Sequence, residues 1–145
     1  LHDALPIFTP NLPEAEVITG LKINDLASME QAARAIHKMG AKNVLIKGGH
    51  LEDDATDLLF DGENIVTLHS DRINTKNTHG TGCTMSSCIA ANLAKGKTAE
   101  EAVSIAKDYI TTAIAHSLDI GKGVGPTNHF YELYTKAGIW DEIKD

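Results

Sequence analysis

The sequence predicts an α/β layered domain, on three observations. Residues 43–47 (NVLIK) form a short apolar run of strand length that stops at Gly48-Gly49 and suits a strand covered on both faces. Residues 55–60 and 64–69 flank the turn residues Asp61-Gly62, a hairpin signal, so one strand pair is antiparallel and the sheet is mixed. Segments of helical periodicity alternate with these strands and then dominate the second half. Few strands remain to cover so much apolar helix surface, which implies that part of the sheet lies outside this chain.

Each element has a local cause. Residues 5–9 are an apolar stretch that could end a strand, with Pro10 barring a helix there. Residues 13–19 suit one helical stretch, with Gly20 as its stop. Leu26, Met29, Ala33, Ile36 and Met39 recur at steps of three and four, the pattern of an amphipathic helix. Asp25 could cap it, or Ser28 with Gln31 as a capping box, and Gly40 ends it. After the hairpin, residues 72–79 read as polar and irregular. Gly80-Thr81-Gly82 then opens a small-residue helix over residues 83–94, closed by Lys95-Gly96. Thr98 and Glu101 form a capping-box pattern for a long helix carrying Ala102, Val103, Ile105, Ala106, Tyr109, Ile110, Ala113 and Ile114. A glycine-rich loop at residues 121–125 leads to a last short helix near residues 130–136.

The 145 residues suffice for one compact domain, and the 42% hydrophobic and 23% charged fractions are those of an ordinary globular chain. A net charge of −7 and a pI near 5.4 disfavour a general nucleic-acid or anionic-membrane surface. No apolar run approaches the roughly 20 residues of a membrane-spanning helix, and the opening residues lack the pattern of a signal peptide. The two cysteines, Cys83 and Cys88, point to different sides of one helix and do not suit a bridge. No zinc spacing occurs and the expected compartment is the cytoplasm.

The stretch NTHGTGCTMSSC carries the chemistry. Two glycines flank Thr81 just before a helix, where backbone N–H groups lack intrahelical partners and the helix end favours negative charge. Gly80, Thr81 and Gly82 let that backbone bend and approach a phosphate, or the charge developing on a transferring phosphoryl group. A dinucleotide fingerprint is a poorer reading, because Met85 occupies its third glycine position and a polar loop precedes it. A purely structural glycine turn stays open on local sequence alone, and a P-loop is absent.

Cys83 stands in the first turn of this helix, where a thiolate could act as general base or nucleophile; a small buried hydrophobe is the equal alternative. Cys88, deeper in the helix, reads as packing. Lys47 ends an apolar strand, at the edge where α/β sheets bind ligands, and could neutralise nucleotide phosphates or be a solvated strand-end lysine. Asn11 and Glu14 could be a helix N-cap with a first-turn acid, or Glu14 could reach a Mg²⁺-bound water. Of the seven histidines, His50 and His79 adjoin glycine-rich turns that could line a cleft, whereas His37 and His69 read as surface positions.

In order and spacing, TPNLPEAE, VLIKGGH, NTHGTGCTMSS and GPTNHF closely resemble hydroxymethylpyrimidine/phosphomethylpyrimidine kinases, members of the ribokinase superfamily with the fold of pyridoxal kinases. The resemblance runs from about Thr9 to Phe130, and HGTGC is its most specific part, because most sugar kinases of the superfamily have aspartate where Cys83 stands. It implies a three-layer α/β/α fold with a mixed, mainly parallel sheet, of which residues 1–145 would be the C-terminal half of one kinase domain. It implies ATP and Mg as cofactors and a small-molecule pyrimidine phosphorylated twice, to the monophosphate and then the diphosphate, in thiamine synthesis. Gly80, Thr81, Gly82 and Cys83 would form the anion hole, with Cys83 as catalytic base, Lys47 beside the nucleotide phosphates, and Asn11 and Glu14 positioning Mg²⁺ and phosphate. Neither nucleic acid nor membrane is an implied partner, and a homo-oligomer is compatible with it. Family members are about twice this length, the N-terminal half carrying most of the pyrimidine pocket; LHDALPIF fits the family pattern poorly, and Val124 stands where it often has histidine. A pyridoxal-type kinase, or a non-catalytic nucleotide-binding remnant, are the alternatives.

Overall fold

The computed structural model describes residues 5–48, 56–69 and 73–143, and divides into two compact units, Leu1–Arg72 with Thr98–Glu100 and Ile73–Lys97 with Glu101–Asp145.

In the first unit, α1 (Leu12–Thr19) begins at Asn11, carries a proline in its first turn, and stops at Gly20, whose φ of 71° is the left-handed geometry expected of a glycine stop. The Glu16 carboxylate accepts a 2.9 Å hydrogen bond from the Ile23 amide; that bond, with Lys22 nearby, holds its carboxyl below the usual range. Helix α2 (Leu26–Lys38) is capped by Asp25, which accepts from the Ser28 amide at 2.8 Å, while the Ser28 hydroxyl accepts from the Asp25 amide at 3.1 Å. Ser28 is therefore the third helical residue of the box and not its cap, and Gln31 takes no part. Met29, Ala32, Ala33 and Ile36 are buried, but Leu26 and Met39, the outer members of the apolar pattern, are 44% and 63% exposed. They are the first residue and the C-cap of the helix.

Strand β1 (Val44–Ile46) pairs antiparallel with β2 (Asp57–Phe60), and β2 with β3 (Ile65–Leu68), in the order β1-β2-β3. Parallel bridges join Phe8 to Val44 and Asn11 to Lys47, so the segment before α1 lies beside β1 and the sheet is mixed. Among the described residues those bridges are its parallel part in this unit. All of β1 and β2 is buried, as a strand covered on both faces requires. Val44, Ile46, Leu58 and Phe60 share one core with Leu12, Ala15 and the buried face of α2. The hairpin turns at Asp61, whose carboxylate accepts from the amides of Asn64 and Glu63 at 2.6 and 2.8 Å; these bonds lower its pKa. His37 is not a surface histidine: it is half-buried, packed edge-on against Phe60 at 5.1 Å, with Gly62 closing over its ring.

The second unit holds α3 (Thr81–Ala94), α4 (Ala99–Ala115, counted from Glu101), α5 (Tyr131–Lys136) and α6 (Trp140–Ile143), the last not anticipated from the sequence. Helix α4 buries Ala102, Val103, Ala106, Ile110 and Ala113, but leaves Ile105 38% exposed on its far side. The Tyr109 hydroxyl donates to the His129 carbonyl at 2.9 Å, and burial raises its pKa. His116 stacks on Tyr131 at 3.5 Å, and Trp140 of α6 meets Tyr131 edge-on at 5.0 Å. Among the described residues, no helix is long and apolar enough to cross a membrane.

Candidate functional site

Three of the candidate residues meet at one end of the first unit's sheet. The parallel bridge sets Asn11 beside Lys47, and the Lys47 amide donates to the Pro10 carbonyl at 2.9 Å. Asn11 and Glu14 form a reciprocal capping box: Asn11 Oδ1 accepts from the Glu14 amide and Glu14 Oε2 from the Asn11 amide, each at 2.8 Å. The cap and the ligand-facing reading are compatible, because Glu14 is exposed and its Oε1 is outside the box. Lys47 is half-buried, and its ammonium makes no ion pair among the described residues. The chain behind it is set by Gly48, whose amide donates to Asp57 Oδ1 at 2.9 Å and whose missing Cβ would collide with the Thr56 carbonyl. Gly49 and His50 lie outside the described residues.

Glu14 has one carboxylate oxygen outside the box, and no group of three or more potential metal ligands occurs among the described residues. That donor set fits Mg²⁺ held mainly by water and phosphate oxygens, with Glu14 touching a bound water. Asn11→Ala removes one half of the box and should cost about 0.5–2 kcal/mol in urea unfolding. Glu14→Gln keeps the box's acceptor oxygen and should cost less.

The second group lies in the other unit. Gly80 caps α3 with φ 82° and ψ 2°, a left-handed residue with no side chain to satisfy the helix end. The Thr84 amide is the first to bond back, to the Gly80 carbonyl at 3.0 Å, and the Thr84 hydroxyl donates to the same oxygen at 2.8 Å. Thr81 N–H reaches the Thr78 carbonyl only at 3.4 Å, and the amides of Gly82 and Cys83 find no acceptor among the described residues. Two adjacent N–H groups at a helix N-terminus are thus open to an anion. Cys83 is exposed, as an accessible thiol requires. Cys88 is half-buried, its Sγ 3.6 Å from Asn92 Nδ2. His79 is exposed beside this turn, while His69 is a surface residue as expected, its Nδ1 2.8 Å from the Thr56 hydroxyl.

Sequence reasoning passed over Asn77, in a segment it read as irregular. The residue is 6% exposed and its side chain binds the Gly125 amide at 3.1 Å. An asparagine two residues before a histidine-glycine turn was the available signal, but its partner lies 48 residues on, beyond any local pattern.

Residues 1–128 match the phosphomethylpyrimidine kinase family. The hydroxymethylpyrimidine/phosphomethylpyrimidine kinase of Haemophilus influenzae is 54% identical over 130 residues, covering 86% of this chain and 48% of its own. The chain therefore spans about half the length of that relative. The structure of Staphylococcus aureus pyridoxal kinase in complex with AMP-PCP and pyridoxal superimposes with a TM-score of 0.84 at 39% identity, covering 89% of this chain and 49% of that one. Phosphomethylpyrimidine kinase from Clostridium difficile gives 0.64 at 42% identity, covering 75% of this chain and 43% of its own. The fold shared with these neighbours is ribokinase-like α/β.

Proposed function

Since the chain belongs to the phosphomethylpyrimidine kinase family, we propose that it carries the phosphoryl-transfer half of an ATP-dependent kinase that phosphorylates hydroxymethylpyrimidine and then its monophosphate. The observation that supports this most is the turn at Gly80–Cys83, where two open amides adjoin an exposed thiol. In this reading the hydroxymethyl oxygen in the first transfer, and a phosphate oxygen of the monophosphate in the second, attacks the γ-phosphorus of ATP; in the first, the Cys83 thiolate takes the hydroxyl proton. The bond from phosphorus to the bridging oxygen breaks, and ADP leaves. The amides of Gly82 and Cys83, with Thr81 and the bend at Gly80, stabilise charge on the phosphoryl oxygens in flight. Lys47 neutralises the remaining phosphates. Asn11 fixes Glu14, which would hold Mg²⁺ through water, and the ion when bound neutralises phosphate charge. Such a site does mostly positioning and charge stabilisation, which suits two acceptors of different charge. Residues 1–145 are read as part of one cytoplasmic kinase domain.

The test is ATP-dependent phosphorylation of hydroxymethylpyrimidine by this chain and by a protein of the relatives' full length carrying it. In the longer protein, Lys47→Ala should raise the KM for ATP about tenfold or more, as loss of a charge-assisted phosphate contact predicts, with little change in pyrimidine affinity. An unchanged KM would remove Lys47 from the nucleotide site. The pyridoxal kinase likeness supports a second reading, with pyridoxal as acceptor. Comparing kcat/KM for the two acceptors separates them.

A further inference from the structure

We propose that Asn77 is the positioning residue of the anion-binding turn, clamping it to the loop at Gly125; this rests on the phosphoryl-transfer reading above. Asn77 is buried, and its backbone amide donates to the Thr75 hydroxyl at 3.1 Å. Its Oδ1 accepts from the Gly125 amide at 3.1 Å, and two residues later the His79 amide donates to the Gly125 carbonyl at 3.2 Å. Gly125 is thus bound through both of its backbone polar groups. His79 and Pro126 form a parallel bridge, and the Asn128 amide anchors the same loop to the Ala113 carbonyl of α4 at 2.9 Å.

The fit is steric as well as polar. A Cβ at Gly125 would overlap the Asn77 side-chain amide, so the glycine leaves the space that the asparagine fills. This clamp closes one residue before Gly80, whose left-handed φ aims the amides of Gly82 and Cys83. Glycine turns are conformationally free. Thr84 holds the Gly80 carbonyl from the helix side, and the clamp holds the chain that enters the turn. Because a misplacement of about 1 Å can cost on the order of 10²-fold in rate, a contact that never touches the phosphoryl group can control turnover.

The experiment measures kcat, the KM for ATP and the melting temperature in the full-length protein, with turnover counted per ADP-binding molecule. Asn77→Ala should lower kcat about 10- to 100-fold and leave the KM for ATP within roughly 3-fold. Asn77→Asp, which keeps an acceptor for the Gly125 amide, should recover most of the loss. Gly125→Ala should reproduce the defect, and the double variant Asn77→Ala/Gly125→Ala should be far less impaired than the product of the two. If Asn77→Ala alone does not fold, the Gly125→Ala defect, its relief when Asn77→Ala is added and its persistence when Asn77→Asp is added carry the test. A kcat within roughly 2-fold of wild type, or losses in Ala and Asp that merely follow melting temperature, would overturn the positioning role and leave the kinase reading standing. A wild-type protein that transfers no phosphoryl group would sink both.

Discussion

In the full-length protein, Cys83→Ala should lower kcat by about 10²–10⁴, the usual contribution of a general base, while the ATP dissociation constant stays nearly unchanged. The separation follows from which atoms do what. The thiol acts on the acceptor hydroxyl, whereas the groups proposed to hold phosphate next to it are backbone amides, which the substitution leaves in place. Cys83→Asp should recover part of the rate, because a carboxylate can take the same proton. Cys83→Ser keeps the size but not the acidity and should behave like alanine. Near-normal turnover in both the alanine and serine variants would leave the open amides as the whole of the catalytic device and end the claim for a base. Cys88→Ala, in a half-buried position, should change stability alone.

Ile46→Ala should cost about 2–5 kcal/mol of stability in urea unfolding, the range for truncating a buried aliphatic side chain. Ile46 has no solvent exposure and lies opposite Leu58 in the antiparallel register, in one core with Met29, Ile36 and Phe60. Its strand is also held from the other side, where the Leu45 and Lys47 amides donate to the Phe8 and Pro10 carbonyls at 2.8 and 2.9 Å. Backbone pinned on both edges has little freedom to collapse into a cavity, so the loss should fall in the upper part of that range. Ile105→Ala, the same truncation on the exposed side of α4, should cost no more than roughly 0.5 kcal/mol, the usual size of a surface change. Equal effects at the two positions would contradict the burial pattern.

Local chemistry was legible in the sequence wherever cause and effect lie within one turn. Gly20 as a stop, Asp61-Gly62 as a hairpin, NVLIK as a strand and Gly80 as a helix opening all depend on neighbours a few residues away. Helix faces were less legible: periodicity marks Leu26, Met39 and Ile105 as apolar, but cannot say where the covering surface stops. Asn11 and Glu14 illustrate a different limit. The sequence posed capping and ligand binding as rivals, whereas the geometry uses one carboxylate oxygen for the cap and leaves the other outside it. Asn77 and His37 escaped because their surroundings are tertiary, set by Gly125 in one case and by Phe60 and Gly62 in the other.

Gly48 and Gly125 are both glycines for want of room, yet they face evolution on different terms. A methyl group at Gly48 meets the Thr56 carbonyl, which belongs to the main chain and is there whatever residue occupies position 56. No exchange of side chains can open that space, so drift at position 48 is barred from the start. At Gly125 the nearest obstacle is the Asn77 amide; without it, the next atom is the Leu118 carbonyl at 3.1 Å, which a shift of a few tenths of an ångström relieves. An alanine at 125 is therefore admissible in a lineage that has already shortened residue 77, and harmful in one that has not. Position 48 should be invariant among homologues, while a side chain at position 125 should occur only where residue 77 is shorter than asparagine.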